Sequence, residues 1–367
     1  TTIKRNPVKN TLILVPKSLV TQWIREFERI APDVLISSDE VIENRDPKKI
    51  SVHITSHSKL NSKSVDIMSN KLSRAKWGRV VIDEAHVIKN RRSKLHKSCC
   101  ELKSKIRWAL TATPLMNKMT DFINILKWIG VPQELCQNYT NTITEIFTKR
   151  RTKQNVSEYN KNLKLPKCHI ENKKLRFDSS FETNLYIQSY NTMCNEIKKM
   201  VANNKNTIIA LELLLRARQI CCHPGSYLTS MNKKFKNNKC ETEGLECTKL
   251  NYILNDIPKY IHDDKIIIFC HFTYEIETYY KRLVDDGYGV AQIHGMMSLD
   301  ERGLNVDKFN NDIDCRIMVI QIQTGGVGYN FQIANRIYIT SPTWNPSLQH
   351  QIIGRVHRTG QKKEVFI

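Results

Sequence analysis

Apolar residues along this chain fall into two alternating textures. Short runs rich in β-branched residues recur in its first third: Thr11–Val15 (TLILV), Ser51–Ser56 (SVHITS), Arg79–Asp83 (RVVID) and Arg107–Ala112 (RWALTA). Runs that do not alternate strictly between apolar and polar mark strands covered on both faces, as parallel sheets are. Between them lie segments with apolar residues at helical spacing. The first, Ser18–Ile30, predicts a helix with Ser18 as its N-cap. From about Pro132 to Thr248 the pattern turns helical and polar, and Thr148–Lys167 reads as an exposed linker. Strand-like runs resume at Asp264–Cys270, Gly289–His294, Cys315–Gln321 and Asn335–Thr340, again with helical segments between. The fold class is therefore α/β, two parallel-sheet lobes joined by a helical insertion. The expected boundaries are 1–165 for the first lobe, 166–247 for the insertion and 248–367 for the second lobe.

A chain of 367 residues can build two sizeable cores. Its longest apolar stretch, Thr207–Arg218, is broken by Glu212 and ends among arginines, so no membrane span is expected. Charge adds more. With 57 Lys+Arg against 36 Asp+Glu the formal net charge is +21, a surplus that favours a polyanionic partner, above all nucleic acid. The eleven cysteines contain no C-x-x-C, and Cys221-Cys222-His223-Pro224 lacks the ligand spacing of a zinc site. Reduced, mostly buried thiols and an intracellular location are expected, with no zinc module. The chain opens at Thr1 without a signal segment and reads as a piece of a longer protein.

The candidate chemistry begins where the run Val80–Ile82 meets Asp83 and Glu84. Ligands of open α/β sheets bind beyond the carboxyl ends of the strands, so this acid pair would stand at the mouth of a site. Such a pair suits a Mg²⁺ held on a nucleotide (Asp83) and a base for the attacking water (Glu84). Thr111–Pro114 (TATP) follows the next strand, its hydroxyls suited to bonding the acids. Near the far end, Arg355 and Arg358 lie three apart, a spacing that places both on one helical face to grip a phosphate cluster.

These parts, in this order, resemble the motor of a superfamily-two helicase. The stretches LILVPKSLVTQWIREFER, VVIDEAHVIKNRRS, RWALTATPLMN, TGGVGYNF, SPTWNP and GRVHRTGQKKEV narrow the resemblance to Swi/Snf-type double-stranded-DNA translocases. LRARQICCHP (Leu215–Pro224) is similar to the branch of the helicase-like transcription factor and its post-replication-repair relatives. The resemblance covers nearly the whole chain. It implies two RecA-like lobes, a DNA-dependent ATPase using ATP and Mg²⁺, and duplex DNA as partner, with nucleosomes or other DNA-bound proteins as targets. It implies a nuclear location in a eukaryotic host.

Residue by residue, it implies that Asp83 holds the Mg²⁺, that Glu84 is the catalytic base, and that His86 of the same motif belongs to the catalytic set. Pro16, Lys17 and Ser18, together with Thr55 and Ser56, would face the DNA backbone. Thr324, Gly325, Gly326 and Gly328 would form a turn admitting a phosphate or the opposite lobe, Gly326 on the nucleotide side and Thr324 and Gly325 toward nucleic acid. Trp344 would also meet nucleic acid, and Gln351, Arg355 and Arg358 would close over ATP. The chain departs from the pattern in three places. No G-x-x-x-x-G-K-[ST] phosphate loop is present, since none of the 13 glycines precedes a lysine; the family carries it upstream of the Leu12 strand. Met116 stands where glutamine is usual and Tyr329 where leucine is common. Two rival readings are a strand-separating helicase and a non-catalytic nucleic-acid-binding module.

Overall fold

The computed structural model describes residues 8–38, 50–60, 67–113, 118–152, 155, 158, 164–202, 208–234, 244–325 and 328–367. The chain divides into two compact units, Thr1–Thr152 and Lys153–Ile367.

In the first unit the described strands are β1 (Asn10–Val15), β2 (Leu35–Ser37), β3 (Ser51–Ser56), β4 (Lys76–Ile82) and β5 (Lys103–Ala109). They form one parallel sheet in the order β2-β3-β1-β4-β5. Both faces are buried, as the apolar runs require. Leu12, Leu14, Val80 and Ile82 pack on one face with Trp128, whereas Ile13, Val15, Val52, Ile54 and Val81 pack on the other. Successive side chains of a strand point to opposite faces, so an unbroken apolar run feeds two cores at once. Helices α1 (Val20–Ile30), α2 (Lys94–Glu101) and α3 (Met119–Ile129) lie against this sheet. Gly130 ends α3 at φ 107°, a left-handed position that side chains avoid.

The helices of the second unit begin with a pair, α4 (Ser180–Ala202) and α5 (Ile208–Cys222), followed by α6 (Pro224–Lys234). After them come α7 (Thr248–Asp256), β7 (Ile266–Cys270), α8 (Thr273–Asp285), β8 (Gly289–Ile293), α9 (Leu299–Asn311), β9 (Cys315–Gln321), β10 (Arg336–Ile339) and α10 (Pro346–Val356). Two short strands, β6 (Cys168–His169) and β11 (Val365–Phe366), complete a parallel sheet in the order β6-β11-β10-β7-β9-β8. Alternate residues again feed two cores, Ile267 and Phe269 one, Ile266 and Ile268 the other. The sequence SLDE starts α9 with a capping box: Ser298 Oγ accepts from the Glu301 amide at 3.2 Å and Glu301 accepts from the Ser298 amide at 2.7 Å.

Two expectations need correction. Ser18 does not cap the first helix. Lys17–Leu19 form a single 3₁₀ turn, and α1 starts at Val20 without a side-chain cap. The span 166–247, read as helical insertion and linker, also supplies at Cys168–His169 the edge strand β6 of the second sheet. Strands of two or three residues carry no periodicity, which is why β2, β6 and β11 are silent in the sequence pattern.

Candidate functional site

In the first sheet the chain runs from β1 out to β2 and β3 on one side, then returns to β4 and β5 on the other. The crevice beyond the carboxyl ends of β1 and β4 is thus the topological switch point, where open sheets hold ligands. Asp83 and Glu84 leave β4 there. The Asp83 amide donates to Leu14 O at 2.8 Å, which extends the ladder by one residue and places the carboxylate at the rim. Trp23 of α1 donates its indole Nε1–H to Asp83 Oδ2 at 3.1 Å, and the Glu84 amide donates to Oδ1 at 2.9 Å. Both oxygens are therefore oriented. A carboxylate fixed in this way fits a hard cation such as Mg²⁺, which takes oxygen ligands.

Glu84 sits in the left-handed region (φ 49°, ψ 47°), the one non-glycine residue with positive φ among those described. For a residue with a Cβ this conformation costs about 1 kcal/mol or more. Neighbouring bonds hold it in place. The Ala85 amide donates to Leu110 O and the Leu110 amide to Ile82 O, each at 2.8 Å, so the end of β5 clamps the turn. The strain turns the Glu84 side chain out of line with the strand, where Glu84 Oε2 lies 3.2 Å from His86 Nδ1. The Thr113 amide donates to Thr111 Oγ1 at 3.1 Å. Pro114 and Met116 lie outside the described residues.

Two contributors to this site do not show in the sequence pattern. Trp23 reads there simply as part of the apolar face of α1. His57, the residue after β3, donates from Nε2 to Leu14 O at 3.2 Å and also bonds the Asp83 backbone. Burial first, with the His86 charge adding a smaller push, lowers its pKa to about 4, so the ring stays neutral. It braces the end of β1 against the end of β4, which carries the acids. Its only sequence signal is a polar residue just past the end of a buried strand.

The nucleic-acid candidates divide. Lys17 is exposed beside the half-buried Pro16 and Ser18, and Ser18 Oγ is buried with no hydrogen-bond partner among the described residues. Thr55 and Ser56, by contrast, are 1% and 4% exposed. Both were expected to face the DNA backbone; in the structure they end β3, every residue of which is buried.

In the second unit Asn345 caps α10, accepting from the Ser347 amide at 2.9 Å, with Pro346 at the first helical position. Gln351 and Arg355 lie on α10, both partly buried. Arg358 does not. The helix stops at Val356, so Arg355 and Arg358 do not share a helical face, contrary to their spacing. Arg358 stands instead in a turn closed by the Gln361 amide on Arg358 O at 3.0 Å, with Gly360 at φ 100°. Gln361 secures that turn, donating to Ala334 O at 2.7 Å and accepting from the Lys362 and Lys363 amides at 2.9 Å. Phe331 donates its amide to Arg355 O at 3.1 Å, tying the end of α10 to the loop before β10.

Thr324 and Gly325 end a short helical turn after β9, with Thr324 Oγ1 donating to Gln321 O at 2.8 Å. Gly325 is buried, and a Cβ there would come within 2.9 Å of Phe269, so the glycine serves close packing. Gly326 lies outside the described residues. Tyr329 packs against the core as a leucine would. Trp344 is 63% exposed, with the Arg218 guanidinium 5.4 Å from its ring centre.

Besides His57, burial also lowers His223 in the second unit to about 4. The ordinary histidine pKa of 6.5 lies above both folded values. As pH falls through 6.5 the unfolded chain takes up protons that the folded chain refuses. Stability is therefore whole above pH 6.5 and drains toward pH 4, by about 1.4 kcal/mol per pH unit for each histidine. Urea unfolding followed by circular dichroism should show a lower midpoint at pH 5.0 than at pH 7.5, with a smaller difference in His57→Phe. Equal midpoints in the parent would contradict the buried neutral histidines.

Sequence comparison places the chain among known proteins. Residues 2–226 match the SNF2-related domain and residues 248–360 the helicase conserved C-terminal domain. A "Probable global transactivator" of Orgyia pseudotsugata multicapsid polyhedrosis virus is 29% identical, over 97% of this chain and 75% of its own. The DNA repair protein rad8 of Schizosaccharomyces pombe is 24% identical, over 98% of this chain but 46% of its own. The chain thus spans three quarters of the viral relative and about half of the yeast one. Among solved structures, the Sulfolobus solfataricus SWI2/SNF2 ATPase core in complex with dsDNA is 25% identical, covering all of this chain and 78% of that one, with a TM-score of 0.44. No described helix is long and apolar enough to cross a membrane. With an SNF2-related domain spanning more than half its length and a helicase C-terminal domain after it, the chain belongs to the Swi/Snf-type family of helicase-like, ATP-hydrolysing proteins.

Proposed function

We propose that this protein is a motor that uses ATP to move along double-stranded DNA without separating the strands, acting on DNA-bound proteins such as nucleosomes or on repair intermediates. The observation that carries the reading is the acid pair at the switch point of the first sheet. Asp83 is oriented by Trp23 and its own turn, and Glu84 is held out of line in a left-handed conformation. Asp83 would hold a Mg²⁺, which would neutralise charge on the phosphates. Glu84, beside His86, would take a proton from the attacking water. Arg355 and Arg358 would meet phosphate charge, and Gln351 would orient the nucleotide. The surplus of 21 positive charges supports a polyanionic track, and the yeast relative's name, a DNA repair protein, agrees with it.

Strand displacement distinguishes this function from ordinary helicase activity. With ATP, a version of the protein that carries a phosphate loop is expected to strip a third strand from a triplex while leaving a forked duplex paired. Gel assays of both substrates read the outcome. Fork unwinding as fast as triplex release would instead establish a strand-separating helicase.

A further inference from the structure

The second sheet has its own switch point. From β7 the chain builds β8 and β9 on one side, then β10 and β11 on the other, so the crevice lies beyond the carboxyl ends of β7 and β10. A side chain from the helical pair fills it. Arg218, near the end of α5, donates from Nε and Nη2 to Ser341 Oγ at 3.2 and 3.1 Å. Its Nη2 lies against one edge of the His271 ring, 2.6 Å from Nε2 and 3.0 Å from Nδ1; Nε2 is spent as a donor to a carbonyl, so the hydrogen bond runs to Nδ1. It also bonds Pro342 O. His271 in turn donates from Nε2 to Ser341 O at 3.0 Å. That bond fixes the tautomer, leaving Nδ1 as the acceptor that a guanidinium needs. A charged imidazole would have no acceptor to offer. Burial, reinforced by the Arg218 charge, lowers the His271 pKa to about 4 and keeps the ring neutral.

What Arg218 grips is the loop between β10 and α10. Ser341 and Pro342 open that loop, Trp344 stands in it, and Asn345 ends it as the cap of α10. The guanidinium lies 5.4 Å from the Trp344 ring centre, within cation–π range, while the indole remains 63% exposed. Four contacts of different kinds thus converge on one arginine: a two-nitrogen hold on a hydroxyl, an imidazole bond, a carbonyl bond and a ring face. Lysine could not reproduce them, since its ammonium is a point charge without a planar fork.

We infer that Arg218 is a positioning residue through which the α4–α5 pair sets the Ser341–Asn345 loop, holding Trp344 upright for nucleic acid and fixing the start of α10. This rests on the proposed DNA-tracking function for its consequence, but not for its geometry. The helical insertion is then part of the working surface of the second unit.

Two measurements separate the inference from the function beneath it. The first needs no DNA. Iodide quenching of the Trp344 emission, taken as the difference between parent and Trp344→Phe, is compared with the same difference in an Arg218→Ala background. Loss of the support should change the Trp344 quenching constant about twofold or more and leave the other tryptophans unchanged. The second is duplex affinity at fixed salt. Arg218→Ala should weaken binding about three- to tenfold, the worth of a cation–π contact and its bonds. Trp344→Ala should do the same, and the double variant should be no worse than either. Arg218→Lys should behave like Arg218→Ala. Should Arg218→Ala fail to fold, Arg218→Gln carries both tests. Full duplex affinity in Arg218→Lys would make Arg218 a mere charge on the DNA track, and additive losses would make it only a structural residue; either overturns the inference. A parent that binds no duplex, yet shows the quenching change, would sink the proposed function and leave the Arg218 support standing.

Discussion

Glu84→Gln is expected to bind ATP as the parent does and to lose turnover by about 10²- to 10⁴-fold, the usual worth of a positioned general base. The substitution preserves size and hydrogen-bonding reach, so the left-handed turn and its clamp from Leu110 should survive. Only the ability to take a proton is removed. The comparison calls for a protein that carries a phosphate loop, because the 367 residues contain no G-x-x-x-x-G-K-[ST] to cradle the β- and γ-phosphates. The chain as it stands is expected to hydrolyse ATP poorly, and a version that carries such a loop should show DNA-stimulated hydrolysis. Binding of a fluorescent nucleotide and single-turnover hydrolysis would be measured side by side. Parent-like hydrolysis by Glu84→Gln in the active, loop-carrying protein would remove Glu84 from its proposed role.

Much of this site could be read from the residues alone, for a definite physical reason. A strand buried on both faces leaves little freedom for its sequence, so Thr11–Val15 and Val80–Ile82 stand out as apolar runs. Polar residues directly after such runs have only the carboxyl-end crevice to occupy, which is where Asp83 and Glu84 lie. The remainder depends on partners far apart in the chain. Trp23 meets Asp83 across 60 positions, and Arg218 meets Ser341 across 123. Helical spacing shows that Trp23 faces inward but does not reveal that its indole N–H ends on a carboxylate. Thr55 and Ser56 look like surface polar residues until both faces of β3 are seen to be covered. Local spacing also misled at the arginines. An interval of three implies a shared face only while the helix lasts, and α10 ends between them. The Thr359-Gly360 pair after Arg358, with Gly360 at positive φ, is the local signal that the helix had already ended.

That ending shapes the second large effect. Arg358→Ala is expected to reduce turnover by about 10³- to 10⁵-fold, the range for an arginine that stabilises charge on a transferring phosphoryl group. The side chain leaves a turn pinned at both ends, by the Gln361 amide on Arg358 O and by the Arg358 amide on Val356 O at 3.1 Å. The backbone is therefore set before nucleotide arrives, and truncating the side chain should not disturb the fold. Duplex affinity should stay within about twofold, since one charge of a 21-charge surplus adds little to a track built from many phosphate contacts. Arg358→Lys should rescue little, because a point charge on a flexible stem does not reproduce a fork that meets two phosphate oxygens at once. Gln361→Ala offers an independent check. It leaves both arginines intact but frees the turn from Ala334, and should lower turnover with little change in nucleotide affinity. Steady-state hydrolysis and duplex binding, measured on the same preparations, decide the matter. Should Arg358→Ala turn over at the parent rate, the phosphate role passes to Arg355, which α10 carries in its last turn.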